Sequence, residues 1–207
     1  MKNRIAAAAM LTLLCGCSSG RKPDYHQTVA SPTEHRMHEA GLDVGIDPFV
    51  DNQRSREYFG VNSVSDGIAI LHVRIRNESP DQTFLVEKKN FHLTLRNTAG
   101  DRTADGKGID RNSGGGEAVA WLGAAGGSLP LLFVGASMVA SATEVQRNFV
   151  GKEMPDQTLA PGQDMEGFIY YNPVPKGKDW SDGAIVTIDL PKTATQQSAK
   201  LSIALSK

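Results

Sequence analysis

Residues 67–77 read Gly-Ile-Ala-Ile-Leu-His-Val-Arg-Ile-Arg-Asn, and this stretch decides the fold class. Apolar and polar side chains alternate along it, which is the period of a β-strand with one buried face. The side chains expected to face a core are Ala69, Leu71, Val73 and Ile75. Those expected to face water are His72, Arg74 and Arg76. The segment therefore predicts a strand in a sheet that packs on one side.

The same alternation recurs in five other segments, which are residues 42–48, 91–95, 166–171, 184–190 and 200–205. Proline ends the first of them, and clusters of Pro, Gly, Asn and Asp separate the others. A turn with the sequence Ala-Pro-Gly-Gln, at 160–163, precedes the strand at 166–171. Short strands with little helix between them favour an antiparallel β-sandwich, so the chain is predicted to be mainly β.

One short helix is predicted ahead of these strands, over about residues 32–40. The sequence Ser-Pro-Thr-Glu at 31–34 has the spacing of a capping box, with proline at the first helical position. Gly41 then provides a natural stop.

The N-terminus has the parts of an export signal. Lys2 and Arg4 form a basic start, residues 5–14 are uncharged and mostly apolar, and Cys-Gly-Cys follows at 15–17. An apolar run this short does not span a membrane, because a spanning helix needs about 20 apolar residues. Two other interpretations stay open: an ordinary secretory signal followed by a free thiol, and an apolar N-terminal helix of a cytosolic protein.

The tetrapeptide Leu-Cys-Gly-Cys at 14–17 resembles the lipobox of bacterial lipoproteins, with Cys17 as the modified residue. Taking Cys15 instead would put the bulky Leu14 at the cleavage site. The resemblance implies removal of a signal peptide at 1–16, diacylglycerol on the Cys17 sulfur, and acylation of the new amine in many Gram-negative bacteria. Several acyl chains on one residue give a stable anchor. The lipid bilayer is therefore the first predicted partner.

The same resemblance bears on location and domain boundaries. An aspartate after the lipidated cysteine favours inner-membrane retention in Gram-negative lipoproteins, whereas this chain has Ser18. An outer-membrane anchor facing the periplasm is thus favoured, with the outer leaflet of the inner membrane as the alternative. Residues 17–41 are interpreted as a lipidated tether that includes the short helix, and residues 42–207 as the β domain.

Composition excludes several other classes. Lys+Arg 22 against Asp+Glu 23 gives a formal net charge of −1, which offers no basic surface for nucleic acid. A hydrophobic share of 40% fits neither a disordered chain nor a polytopic membrane protein. With Cys15 removed and Cys17 acylated, no thiol remains, which excludes disulfides, thiolate nucleophiles and cysteine metal sites.

A second resemblance covers the β domain. Its motifs are Tyr-Phe-Gly-Val-Asn at 58–62, Gly-Ile at 67–68, Arg-Asn-Glu-Ser-Pro at 76–80, Phe-Leu-Val at 84–86, Leu-Ala-Pro-Gly at 159–162 and Gly-Phe-Ile-Tyr-Tyr at 167–171. Together they resemble a pattern in bacterial exported lipoproteins of unestablished function. The resemblance implies an immunoglobulin-like β-sandwich and lends no catalytic residue.

Residues 118–143 form an uncharged insertion of 26 residues. One continuous helix of that length would cross a bilayer, but Gly-Gly-Ser-Leu-Pro at 126–130 breaks it, and a crossing would separate strands of one domain. An apolar helical hairpin at about 117–149 is predicted instead, with helices over about 117–125 and 129–149. Three placements of this hairpin stay open: packing on the sandwich, entry into the membrane, or binding to an envelope protein.

The residues predicted to contact a partner or the membrane are Trp121, Leu122, Leu131, Leu132, Phe133 and Trp180. The first five lie in the insertion. Trp180 lies in a loop between strands, where closing the end of the core is its alternative role.

Few side chains offer chemistry. His35 and His38 lie one turn apart on the predicted helix and could supply two metal ligands, but the sequence fixes no third, and a solvated helix face is favoured. His72 and His92 are expected to face solvent or each other across a sheet. No nucleophile elbow or phosphate-binding loop occurs, so no catalytic residue, metal or cofactor is predicted.

The predicted function is accordingly a membrane-anchored, non-catalytic interaction or structural module of the envelope. The alternative is a periplasmic hydrolase or metal-binding lipoprotein that uses His35 and His38.

Overall fold

The computed structural model describes residues 30–32, 34–95, 102–105, 136–172, 174, 176–177, 179–195 and 197–205. Within these ranges the protein is mainly β, and all of its paired strands run antiparallel. The predicted chain class is confirmed to that extent. The predicted signal peptide at 1–16 and the lipidation site Cys17 lie outside the described residues.

The strands are β1 (His35–Glu39), β2 (Leu42–Pro48), β3 (Ala69–Asn77), β4 (Phe84–Val86), β5 (Phe91–Leu95), β6 (Arg102–Asp105), β7 (Gln157–Leu159), β8 (Asp164–Tyr171), β9 (Ala184–Pro191) and β10 (Ser198–Leu205). The helices are α1 (Asn52–Phe59), α2 (Ser63–Asp66) and α3 (Ala136–Lys152), with a 3-10 turn at Lys88–Asn90.

These strands form two four-stranded sheets and one small one. The first sheet has the order β1-β2-β3-β8, and the second has the order β10-β9-β5-β6. A third, two-stranded sheet joins β4 to β7. In the first sheet Val73 of β3 lies opposite Ile46 of β2 and Gly167 of β8. This register places the apolar positions of neighbouring strands on the same face.

Both large sheets contribute to one hydrophobic core. From the first sheet it takes Leu42, Val44, Ile46, Ala69, Leu71, Val73, Ile75, Met165, Ile169 and Tyr171. From the second it takes Phe91, Leu93, Leu95, Ala184, Val186, Ile188, Leu190, Ala199, Leu201, Ile203 and Leu205. The core positions predicted from alternation are confirmed in five of the predicted strands, because the period of two fixes which side chains share a face. For the strand at 166–171 no core face was predicted, and both of its faces are buried.

The helix predicted over residues 32–40 is wrong, because β1 occupies most of that range and pairs with β2. The hairpin turn is made by Ala40 and Gly41, with φ of 54° and 80°. Two consecutive residues of positive φ are what a tight hairpin turn requires. Met37 packs against the shared core from β1. Sheet pairing and this burial therefore override the local capping pattern.

Helix α1 was not predicted, although the sequence carries its end signals. The side chain of Asp51 accepts hydrogen bonds from the backbone N–H groups of Gln53 and Arg54, at 2.7 and 3.4 Å, and so caps the first turn. Gly60 ends the helix in the left-handed region, with φ of 78°.

Helices α1 and α3 cover the outer face of the first sheet, which is the face turned away from the shared core. A second cluster of buried side chains lies there: Phe49, Phe59, Ile68, Ile70, Phe149, Phe168 and Tyr170. The Phe59 ring centre is 4.9 Å from those of both Phe149 and Phe168. The Tyr170 hydroxyl donates to the Phe149 carbonyl at 3.0 Å. The first sheet is therefore packed on both sides.

Of the predicted helical hairpin, the structure describes only the end. Residues 136–149 are helical, as predicted, and α3 continues to Lys152. Phe149 is buried in the aromatic cluster, and the Lys152 Nζ donates to the Tyr58 carbonyl at 2.6 Å. This end of the insertion thus packs on the β domain. In the described part of the chain, no helix combines the length and the apolar character needed to span a bilayer.

Candidate functional site

The strongest candidate site lies on the outer face of the first sheet, around His72 of β3. Leu71 and Val73 face the shared core, so His72 must face the other way. Only 2% of its side chain is exposed. The expectation that His72 faces water is wrong, because alternation identifies the second face of a strand but does not show that helices cover it. The expected pairing with His92 is also wrong, since His92 lies on β5 of the second sheet.

His72 has one strong polar contact. Its Nε2 lies 2.8 Å from Oε1 of Glu166, a residue of β8. Its ring stacks on Phe168, with ring centres 4.6 Å apart and planes 18° from parallel. Its Nδ1 is buried and has no hydrogen-bond partner among the described residues. A carboxylate oxygen only accepts, so the donor in the contact is Nε2–H, and in a neutral ring Nδ1 is then an unused acceptor.

Burial sets the charge of this histidine. Removal from water lowers the pKa of His72 below its ordinary 6.5, although the carboxylates of Glu166 and Asp47 act in the opposite direction and the Arg54 charge adds to the lowering. A histidine in these surroundings is neutral at pH 7.

The charges beside His72 are already matched in pairs. Asp47, opposite His72 on β2, binds the guanidinium of Arg54 through both carboxylate oxygens, with the Nη1–Oδ1 distance at 3.1 Å. The Arg54 guanidinium also lies 3.8 Å from the ring centre of Phe49. Arg74, two residues along β3, binds Asp164 at 2.9 Å. The first ion pair therefore ties α1 to β2, and the second joins the neighbouring strands β3 and β8.

The chain segment that precedes β1 crosses the same face. We call residues 30–32 the strap. Within it, the hydroxyl of Ser31 donates to Oε2 of Glu166 at 2.9 Å. Pro32 is buried, and its carbonyl oxygen lies where a Cβ on Gly45 would come within 2.5 Å. Gly45 is therefore required for the close approach of the strap to β2.

The order of these groups does not fit nucleophilic catalysis. A catalytic serine needs a histidine beside its hydroxyl to accept the proton, with a carboxylate behind the histidine. Here the carboxylate of Glu166 stands between Ser31 and His72, so the imidazole does not contact the hydroxyl. The arrangement instead joins the strap, β3 and β8 through one carboxylate.

The proposed metal site at His35 and His38 was based on a helix, but these residues lie on strand β1. His35 and His38 lie on a strand, where positions three apart point to opposite faces, so they do not converge on one ion. His38 instead lies 3.3 Å from Asp43 and 3.7 Å from Glu78, each through a different ring nitrogen. The carboxylate of Asp43 also binds the guanidinium of Arg36 through both oxygens. His38, Asp43 and Glu78 could thus each offer one ligand atom, but Asp43 is already engaged by Arg36.

The remaining predicted contact residues divide into two groups. Trp180 is only 4% exposed and belongs to the shared core, so the prediction of a surface contact there is wrong and the alternative, a side chain that closes the core, is what the structure shows. The other five lie outside the described residues: Trp121, Leu122, Leu131, Leu132 and Phe133.

A shallow groove of about 540 Å³ lies on the second sheet. Its lining is Lys89, Asn90, His92, Asp189, Pro191, Thr195, Gln197 and Ser198. Its lining includes one lysine and one aspartate, and each of them is paired with a neighbouring side chain.

The comparisons with known proteins give distant neighbours. No family model matches the sequence, and no curated protein matches it. A functionally unknown protein from Listeria monocytogenes EGD-e is 9% identical, with a TM-score of 0.41 over 85% of this chain and 83% of that chain. A candidate lipoprotein (ycdA) from Bacillus subtilis subsp. subtilis str. 168 is 12% identical, with a TM-score of 0.38 over 83% of this chain and 39% of that chain.

Proposed function

We propose that this protein is an envelope lipoprotein, anchored through acylated Cys17 at the outer membrane and facing the periplasm, whose β domain is a non-catalytic interaction or structural module. The observation that carries the anchor is Leu-Cys-Gly-Cys at 14–17, placed after a basic start and a short apolar run. Signal length, small residue and cysteine agree at one position.

The spacing between anchor and domain supports this arrangement. Twelve residues lie between Cys17 and Ala30, where the described structure begins. An extended residue spans at most about 3.6 Å, so covalent geometry limits this link to about 45 Å. A domain on such a link stays close to the membrane that holds its anchor.

The polar groups of the site support a non-catalytic role. Glu166 contacts both His72 and Ser31, and Asp47 is bound by Arg54, so these side chains hold segments of the fold together. Two antiparallel four-stranded sheets that share one core are consistent with an immunoglobulin-like sandwich, which we propose as the fold family.

Lipidation is tested by mass spectrometry of the protein purified from membranes. We expect the N-terminal peptide to begin at Cys17 and to carry acyl chains. Cys17→Ala should abolish both the acyl mass and the membrane fraction, whereas the matched variant Cys15→Ala should retain both. An unmodified Cys17, or membrane retention in Cys17→Ala, contradicts the proposed anchor.

The interaction role is tested by photo-crosslinking in intact cells. A crosslinking amino acid at Trp121 or at Phe133 should give a discrete crosslinked product, because we propose the uncharged insertion as the contact segment. The control position is Ile185, an exposed apolar residue of β9. Equal products from all three positions, or products from none, argue against a specific contact at the insertion.

A further inference from the structure

We infer that the strap is an acid-sensitive latch: residues 30–32 are held on the first sheet at neutral pH and are released when His72 takes up a proton. The inference deepens the proposed function and rests on it in one respect, since the strap lies between the proposed anchor and the domain. The latch itself is defined by contacts within the described residues.

Protonation of His72 is energetically costly while the strap is held on the sheet. A second proton would have to go to Nδ1, which is buried and has no hydrogen-bond acceptor among the described residues. In the neutral ring, Nδ1 is an acceptor without a partner. In the charged ring it becomes an N–H donor that is removed from water and has no acceptor, which costs free energy. Protonation therefore favours any opening that gives water access to this nitrogen.

Two carboxylates and one guanidinium lie near His72. Glu166 of β8 and Asp47 of β2 are the carboxylates beside it, and Arg54 of α1 is the opposing cation. Asp47 is already bound by Arg54, and Asp164 by Arg74. Glu166 is therefore the main counter-charge for an imidazolium. Because Glu166 is also the acceptor for Ser31, the strap is attached directly to the group that responds to the proton.

Helix α1 and the strap differ in how firmly they are held on this face. Helix α1 is held by its Asp51 cap, by the Arg54–Asp47 pair and by the aromatic contacts of Phe59. Among the described residues, the strap is held by one side-chain hydrogen bond from Ser31 and by the packing of Pro32 on Gly45. A segment with so few attachments opens at a lower free energy than a helix in a packed cluster.

The sign of the pH effect follows from linkage. Burial lowers the pKa of His72 in the closed state, while an open state gives the ring its ordinary value near 6.5. The open form then binds the proton more tightly, so the ratio of open to closed molecules rises as pH falls below about 6.5. For a single proton this rise is at most tenfold per pH unit. Release of three residues lengthens the link to the membrane by up to about 10 Å.

The test is the mobility of a nitroxide on the variant Ala30→Cys, measured with the whole chain in detergent. The sequence contains only Cys15 and Cys17, so a background with serine at both makes residue 30 the single labelled position. This background also separates the latch from the anchor, since the reading does not depend on lipidation. We expect the mobile fraction to grow between pH 7.5 and pH 5, by up to tenfold per pH unit, while near-UV circular dichroism stays constant.

His72→Gln should remove the pH response, and the matched variant His92→Gln, on the second sheet, should retain it. Ser31→Ala changes an exposed side chain, so its fold is expected to be intact, and it should raise the mobile fraction already at pH 7.5. The latch is refuted if mobility does not depend on pH, if the response persists in His72→Gln, if it coincides with loss of the near-UV signal, or if Ser31→Ala leaves the label as immobile as before.

Discussion

The two faces of the first sheet are built from the same strands but carry different kinds of side chain. The face toward the shared core carries side chains such as Leu71, Val73 and Ile75, all fully buried. The outer face carries aromatic rings at one end and the His72–Glu166 pair with the strap at the other. The inner face is thus mostly apolar packing, with one hydrogen bond from the Tyr171 hydroxyl to the Phe91 carbonyl, whereas the outer face combines packing with groups whose interactions depend on pH.

On the outer face, the stability gained by burying a side chain depends on whether that side chain can take up a proton. A buried apolar side chain is favourable at any pH, because the hydrophobic effect does not involve a proton. A buried neutral histidine beside a carboxylate is stable only while it remains neutral. The two faces should therefore differ in how substitutions and pH change the free energy of unfolding.

The largest loss is expected from Phe59→Ala, which removes the ring at the centre of the outer aromatic cluster. Its ring contacts Phe49, Phe149, Phe168 and Tyr170. Deletion of a buried phenylalanine costs about 3–5 kcal/mol of unfolding free energy. Urea denaturation measures it, with the exposed neighbour Glu57→Ala as control. A loss below about 1 kcal/mol would show that α1 and α3 only lie on the sheet and do not form a second core.

A similar but smaller loss, of about 3 kcal/mol, is expected from Leu71→Ala on the inner face. Leu71 is fully buried between the two sheets. Because no titratable group is involved, its cost should be the same at pH 5.5 and at pH 7.5 when urea midpoints are compared. A cost that changes with pH would mean that the inner face is coupled to the charged groups of the outer one.

Much of this architecture is readable from the sequence, and the reason is the period of two. The alternation Leu42, Val44 and Ile46 fixes both a strand and its buried face, and the structure agrees. The direction of the His72 side chain follows the same rule, but its surroundings do not, because they are made by residues of other elements: Glu166 and Phe168 of β8 and Arg54 of α1. The site was missed because no local pattern marks a partner such as Glu166, 94 residues away.

Two local helix signals in this chain have opposite outcomes, and only the first of them was used for a prediction. Ser-Pro-Thr-Glu at 31–34 has the spacing of a helix start, yet β1 follows because pairing with β2 and burial of Met37 outweigh a propensity of this size. Asp51 and Gly60 mark the ends of α1 correctly, but the segment between them lacks an apolar stripe. Its single deeply buried aromatic, Phe59, is enough because it enters a cluster of rings.

An intermediate effect is expected in the pH dependence of stability. The pKa of His72 is lowered in the folded state, so the unfolded chain binds the proton first as pH falls below about 6.5. Stability should then decrease by up to about 1.4 kcal/mol per pH unit, until the pH reaches the folded pKa. Urea midpoints between pH 5 and pH 8 measure this slope. His72→Gln should flatten the slope of stability against pH between pH 5 and pH 8, whereas His92→Gln should leave it unchanged. Equal slopes in the two variants would assign the pH dependence to other groups.

The smallest effect is expected at the edge of the first sheet, in the turn between β1 and β2. Ala40 has a φ of 54°, in the left-handed region that alanine tolerates poorly and asparagine accepts. Ala40→Asn should therefore stabilise the protein by about 0.5 kcal/mol, as read from thermal unfolding.

The matched change at the next position should act in the opposite direction. Gly41 has a φ of 80°, and a Cβ there would lie 2.9 Å from the Cβ of Ser79. Gly41→Ala is thus strained by conformation and by contact, and it should destabilise by more than Ala40→Asn stabilises. If both variants melt like the wild type, the hairpin adds little to the stability of either face. β1 would then be a peripheral strand, and the strap before it would be held by Glu166 and Gly45 alone.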